Sequence, residues 1–273
     1  MPAAPTSGMA FFDDLAARID ETGSVVSVGL DPDPDRLPDA VADADLPRWA
    51  FNRRIIDATH EYAAAYKPNA AFYEDADGWR ALRETVAYAH GKDVPVLLDA
   101  KRADIGNTAR QYATVLDDVD AITVNPYLGE DSLQPFLSRD AGVFVLCRTS
   151  NPGGRDFQNL ELADFDRRLY EHVAHRAAAW DADHGDVGLV VGATAPEELA
   201  DVREAAPDLP FLVPGVGAQG GDAEAAVAHG LADGVGLVNS SRGIIFAGES
   251  ATDYFGAASQ SAKRLRDRLN QYR

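Results

Sequence analysis

Asp99 and Lys101 stand two residues apart at the end of the apolar run 94–98, and Asp104 follows within Asp99-Ala100-Lys101-Arg102-Ala103-Asp104-Ile105-Gly106-Asn107-Thr108. An apolar run that ends in charge and gives way to a helical pattern reads as a buried parallel strand whose C-terminal end emerges into a site. Residues two apart on an extended strand point the same way, which sets the Asp99 carboxylate beside the Lys101 ammonium. Asp104 lies just past the strand. Carboxylates flanking an ammonium favour its charged form. A lysine that forms a Schiff base must instead lose its proton. Lys101 is therefore better suited to donate a proton and stabilise a carbanion than to act as a nucleophile. Loss of CO2 from a substrate leaves such a carbanion.

A salt-bridged strand end in an acidic protein would leave the same Asp-x-Lys trace. Lysine, however, is scarce: only Lys67, Lys92, Lys101 and Lys263 are present among 25 basic residues. Lys67 and Lys101 both end strand-like apolar runs, where ordinary surface charge is not expected.

The elements that must hold these groups follow a regular alternation. Strand-like runs are expected at 25–30, 63–69, 94–98 continuing through Lys101, 119–124, 142–147, 187–191, 211–213 and 234–238. Between them fall helical patterns. Phe11, Phe12, Leu15 and Ile19 stripe a leading helix that stops at Gly23. Others are expected over 49–62, along Trp79, Leu82, Val86 and Ala89, and along Ile105, Ala109, Tyr112 and Leu116. Further ones follow at 131–137 and along Phe165, Leu169, Val173 and Trp180. Thr194 with Glu197 suits a capping box, Asp222 suits a cap for a helix to His229, and a last helix starts near 250. Eight strands alternating with helices without a linker imply one α/β domain over 1–273, a (β/α)8 TIM barrel, with residues 1–7 frayed.

In such a barrel the residues just past the strands gather on one face. Asp31, Lys67, Asp99, Lys101, Ser150 and Arg242 converge there. The run Pro214-Gly215-Val216-Gly217-Ala218-Gln219-Gly220-Gly221 lets backbone N–H groups approach an oxyanion, Arg242 can bind it bidentately, and Gln219 rides on what reads as a mobile lid. A phosphate site after the last two strands recurs in this fold. His172 and His175 lack a third ligand and read as a solvated face. Ser240-Ser241 lack a matching His and Asp, and no Rossmann or Walker glycine pattern occurs.

The formal charge of −19 argues against nucleic-acid and anionic-membrane partners, while a hydrophobic content of 46% argues against disorder. An acid-rich, lysine-poor surface suits a high-salt cytoplasm in which self-repulsion is screened. Cys147, the single cysteine, falls in an apolar run and reads as a buried, inert thiol. No run of membrane-spanning length and no signal-peptide pattern is evident, so a cytoplasmic location is expected.

Several motifs together resemble orotidine 5'-phosphate decarboxylases, most closely the longer bacterial and archaeal subfamily. They are Asp99-x-Lys101-x-x-Asp104-Ile105-x-x-Thr108, Gly29-Leu30-Asp31-Pro32, Tyr66-Lys67-Pro68-Asn69, Arg148-Thr149-Ser150-Asn151-Pro152, the glycine-rich run 214–221 and Ser240-Ser241-Arg242-Gly243. The resemblance implies a cofactor-free and metal-free decarboxylation in which Lys101 protonates C6 of the pyrimidine and Asp99 lies against the departing carboxylate. It implies that Lys67 and Asp31 orient the array and hold ribose hydroxyls, that Ser150 reads the pyrimidine edge, and that Gln219 and Arg242 hold the phosphate. It also implies a homodimer in which Asp104 and Thr108 reach the partner's site. A magnesium-dependent sugar-phosphate decarboxylase or hexulose-phosphate synthase shares Asp-x-Lys-x-x-Asp. The absence of an evident extra acidic ligand beside Lys67 counts against it. A nucleotide-sensing barrel would keep the phosphate loops and lose Lys101 or Asp99, and both are present.

Overall fold

A computed structural model describes residues 11–194, 196–216, 221–249 and 253–273. Eight parallel strands form the central sheet: β1 (Val26–Leu30), β2 (Ala65–Pro68), β3 (Leu97–Arg102), β4 (Ala121–Val124), β5 (Gly142–Arg148), β6 (Val187–Val191), β7 (Phe211–Pro214) and β8 (Leu237–Ser240). The hydrogen-bonded order is β2-β1-β8-β7-β6-β5-β4-β3. Parallel bridges Tyr66↔Val96 and Asn69↔Asp99 then bring β2 to β3 and close the circle. The expected barrel is what forms.

The strand sequences explain the closure. β1, β2, β4, β6 and β8 are buried at every position, as strands covered on both faces must be, and this is why they read as near-continuous apolar runs. Helices Pro47–Thr59, Ala76–His90, Gly106–Ala113, Glu130–Leu137, Leu169–His184, Pro196–Ala205, Ala223–Gly230 and Tyr254–Leu269 follow the strands in turn.

The leading helix Phe11–Thr22 covers the end of the barrel opposite the charged strand ends. Phe11 presses on the first residue of β5, where a Cβ on Gly142 would come within 2.4 Å of its ring. Phe12 N donates to Asp186 Oδ1 at 3.2 Å, just before β6. Gly23, at φ +57°, ends the helix as its spacing predicts.

Several expectations shift. Phe165 was expected in a helical stripe, but it lies in a hairpin of Glu161–Leu162 with Arg167–Arg168, and the helix starts only at Leu169. The short strands of this hairpin carry too few residues for a period to show. The eighth strand starts three residues late, because Gly234 and Gly236 adopt φ +84° and +154° in a turn closed by Ala232 and Val235. The helix expected from Ile105 begins only at Gly106, with Ile105 extended before it, and Ile105 and Tyr112 are 63% and 38% exposed. Asp222 caps Ala223–Gly230 through the N–H groups of Glu224 and Ala225. Cys147 is buried, its Sγ donates to Tyr170 O, and burial pushes its thiol up. The frayed start at 1–7, the lid residue Gln219, and parts of the Thr194–Glu197 capping box and of the expected helix start near 250 lie outside the described residues.

Candidate active site

The Asp99 carboxylate is the point where three elements meet. Lys67, from β2, donates through Nζ to Asp99 Oδ2 at 2.8 Å. Lys101 Nζ bonds the other oxygen, Oδ1, and Thr123 of β4 donates its hydroxyl to that same oxygen at 2.9 Å. Side-chain exposure grades outward, with Lys67 at 5%, Asp99 at 12% and Lys101 at 45%. Asp99 and Lys67 are thus fixed deep in the barrel mouth, and the Lys101 ammonium faces the open end.

The charges hold each other. Burial pushes the Asp99 carboxyl up, but Lys67 and Lys101 outweigh it and keep the group well below the usual carboxylate range. Burial likewise pushes the Lys67 ammonium down, and Asp99 together with Asp31 overcomes it, so that its pKa is raised. A largely buried carboxylate that stays ionised is the chemically unusual feature of this site.

Asp99 and Lys101 meet as expected, but not through regular strand alternation. Opposite β4, Leu98 pairs with Ile122 and Arg102 with Val124, so four steps on β3 face two on β4. The extra residues bulge, and Lys101 turns left-handed at φ +48°. Its N–H donates to Thr123 Oγ1 at 2.9 Å in place of a ladder carbonyl.

Asp31 follows β1 and accepts from Ser241 Oγ at 2.6 Å, while its buried Oδ1 has no hydrogen-bond partner among the described residues. The close approach of the two strand ends requires Gly29, since a Cβ there would lie 2.5 Å from that of Ser241. Ser150 is half-buried in the loop after β5, against Gly192 of the next strand's end. Its loop is held from below by a buried ion pair, Arg148 Nε to Glu198 Oε2 at 2.7 Å, and by Gln158, which accepts from Thr149 N at 2.9 Å.

Arg242 is exposed at the start of the short helix Arg242–Ile245, directly after β8. The glycine-rich loop leaves β7 through Gly215 at φ +102° and is pinched where Gly221 N donates to Gly215 O at 3.0 Å. Asp104 does not join the array in this chain. Its Oδ1 accepts from Ile105 N at 2.8 Å, and Thr108 is exposed on the following helix. The described residues contain no group of three or more His, Cys, Asp or Glu placed to hold a metal ion.

A family of known proteins shares this arrangement of motifs. The sequence model of the orotidine 5'-phosphate decarboxylase / HUMPS family matches residues 24–254. The chain belongs to that family. It is 75% identical over 267 residues to the orotidine 5'-phosphate decarboxylase of Halobacterium salinarum, covering 97% of this chain and all of that one. The Ralstonia pickettii enzyme of the same name is 47% identical, again over 97% of this chain and all of its own. The structure of Leishmania donovani OMP decarboxylase superposes with a TM-score of 0.82 at 46% identity, covering 97% of this chain and 98% of that one. Relatives from halophiles also fit the salt-adapted character read from the charge.

Within this decarboxylase-family site, Thr123 and Ser241 were not singled out as site residues by sequence reasoning. Thr123 lies inside the apolar run of β4, where a β-branched residue reads as ordinary strand. Ser241 is given no role by its motif and fails as a nucleophile for want of His and Asp partners, whereas here it orients Asp31. Ser241 carried one signal, a polar residue just past the end of an apolar parallel strand, whereas Thr123, inside its strand, carried none.

Proposed function

We propose that this protein decarboxylates orotidine 5'-phosphate to uridine 5'-phosphate and CO2, the last step of UMP biosynthesis, with no metal or organic cofactor. The observation that carries this reading is the Lys67–Asp99–Lys101 array, a buried carboxylate kept ionised between two ammonium groups. An anionic Asp99 beside the substrate carboxylate disfavours the ground state and loses that repulsion as CO2 departs. The C6–carboxyl bond breaks with its electron pair left on C6, and the Lys101 ammonium stabilises that carbanion and then transfers its proton to it. Lys101 regains a proton from water.

Lys67 holds Asp99 in place, and Asp31 with Lys67 binds the ribose hydroxyls. Ser150 reads the amide edge of the pyrimidine. Arg242 and Gln219 hold the phosphate, with backbone N–H groups of the glycine-rich loop around it. Asp104 and Thr108 complete the site of a partner subunit in a homodimer. Exposed apolar residues support that dimer, since Ile105, Tyr127 and Leu128, at 63%, 84% and 45% exposure, flank the same barrel mouth. The whole chain works as one domain in the cytoplasm, and no helix among the described residues is long and apolar enough to cross a membrane.

The test is to mix purified protein with orotidine 5'-phosphate and follow its ultraviolet absorbance, with and without EDTA. Turnover that chelation leaves intact, and that Lys101→Ala abolishes while uridine 5'-phosphate still binds, supports the reading. Activity lost to EDTA and restored by magnesium would favour a hexulose-phosphate-synthase-like reaction. A borohydride-trapped adduct on Lys101 would sink its role as proton donor.

A further inference from the structure

We propose that Thr123 is a positioning residue for the decarboxylation, whose hydroxyl clips Lys101 and Asp99 into their reactive arrangement. The inference rests on the reading of Asp99 and Lys101 as the reacting pair.

The sheet itself creates the need for this clip. Between Leu98 and Arg102 the β3–β4 ladder is interrupted, and regular backbone pairing resumes only where Asn125 N donates to Arg102 O at 2.9 Å. The interruption falls on the two residues that carry the chemistry. Lys101 there adopts φ +48°, a conformation that side-chain-bearing residues take up only when their surroundings determine it. Its N–H points at no strand carbonyl.

A hydroxyl is a donor and an acceptor at once, and Thr123 uses both capacities on the catalytic pair. Oγ1 accepts from Lys101 N at 2.9 Å and donates to Asp99 Oδ1 at 2.9 Å. The first bond fixes the backbone turn from which the Lys101 side chain departs. The second fixes the carboxylate oxygen to which the Lys101 ammonium is bonded. Thr123 is fully buried, and its branched Cβ leaves the hydroxyl little rotational freedom. It does not need to touch substrate to act. Without the hydroxyl, a part-buried N–H and one side of a largely buried carboxylate lose their partner together.

Thr123→Val keeps the shape and removes the hydroxyl, while Thr123→Ser keeps the hydroxyl. Small misplacements of reacting groups cost on the order of 10²-fold in rate. Thr123→Val is therefore expected to lower kcat for orotidine 5'-phosphate by about 10²-fold, with KM and the Kd for uridine 5'-phosphate within about threefold of wild type. Thr123→Ser should restore kcat to within about fivefold of wild type. A merely structural role would lower kcat and product affinity together and would not distinguish the two variants so sharply. Should Thr123→Val fail to fold in molar KCl, Thr123→Ala against Thr123→Ser decides in the same way. Turnover of the valine variant within about twofold of wild type overturns the proposal, as do equal losses in the serine and valine variants. Wild-type protein that leaves orotidine 5'-phosphate untouched removes the functional reading as well, whereas active wild type with an equally active valine variant removes Thr123 alone.

Discussion

Lys67 Nζ lies 2.8 Å from Asp99 Oδ2, with the two side chains only 5% and 12% exposed. Removing one partner of a buried pair strands the other charge, at a cost of about 3–5 kcal/mol, while an exposed pair contributes about 0–1 kcal/mol. Asp99 keeps Lys101 as a second partner, so Lys67→Met is expected near the lower end, about 3 kcal/mol. Lys101→Ala removes a side chain that is 45% exposed and should cost at most about 1 kcal/mol. Urea denaturation at one fixed KCl concentration measures both. Equal losses in the two variants would show that burial does not grade the array.

The same pair sets a pH dependence whose sign follows from the shifts. Asp99 is held below its unfolded pKa of about 3.9, so its contribution is complete above that value and is lost as pH falls toward the folded one. Lys67 is raised, so its contribution is complete below its unfolded pKa of about 10.4 and is lost as pH rises beyond it. The stability difference between wild type and Asp99→Asn should therefore be flat from about pH 5 to 9 and shrink below about pH 4. A difference unchanged from neutrality down to pH 3 would contradict the assigned ion pair.

Arg242 is far from Lys101 in the chain, and its proposed role is to hold the phosphate rather than the reacting carbon. Binding energy from a remote phosphate can be spent on lowering the barrier at the reacting centre. Arg242→Ala is expected to lower kcat/KM for orotidine 5'-phosphate by about 10²-fold or more, and to change folding stability by less than about 0.5 kcal/mol because the side chain is exposed. Orotidine itself, lacking the phosphate, should turn over poorly and equally in wild type and variant. If the variant lost as much on orotidine as on its phosphate, Arg242 would be acting elsewhere in the site.

What the sequence made legible is what local rules encode. Parallel strands buried on both faces appear as apolar runs, and the end of a run marks where Asp31, Lys67, Asp99, Ser150 and Arg242 emerge. Gly23 and Asp222 work as the helix terminus and cap that their types suggest. The interruption of β3 left no trace, because it depends on register against β4, and nothing within residues 97–102 reports that Thr123 will accept from Lys101 N. The Arg148–Glu198 pair is equally silent, joining positions fifty apart in the chain. Ile105 and Tyr112 show the opposite failure. Their spacing reads as a helical stripe, yet Ile105 is the extended residue before the helix and both side chains are exposed, since periodicity records an apolar face without naming what covers it.

The formal charge of −19 gives a further expectation for conditions rather than residues. Self-repulsion of an acidic surface weakens as the screening length falls, from about 10 Å at 0.1 M salt to about 3 Å at 1 M. The melting temperature should rise between dilute buffer and molar KCl. Chloride is the suitable anion, because sulfate or phosphate would stabilise any fold by exclusion from its surface. A protein equally stable in dilute buffer and in molar KCl would contradict the salt-adapted reading.

Asp104 provides the test of the dimer. It follows Lys101 by three residues, yet its carboxylate accepts from Ile105 N at 2.8 Å and forms no ion pair with Lys101 of its own chain among the described residues. If Asp104 serves the neighbouring site, Lys101→Ala and Asp104→Ala homodimers are each defective in both sites. A mixed dimer instead holds one site with both lesions and one with neither. Random reassortment of equal amounts makes half the dimers mixed, so activity should recover to about a quarter of wild type, as two-fold symmetry with shared sites requires. If Asp104 acts within its own subunit, every site keeps one lesion and nothing is regained. The two variants are unfolded together, refolded in molar KCl, and compared with each refolded alone, with a tagged subunit reporting exchange. No recovery despite demonstrated exchange would place Asp104 in its own subunit's site and remove the shared-site arrangement.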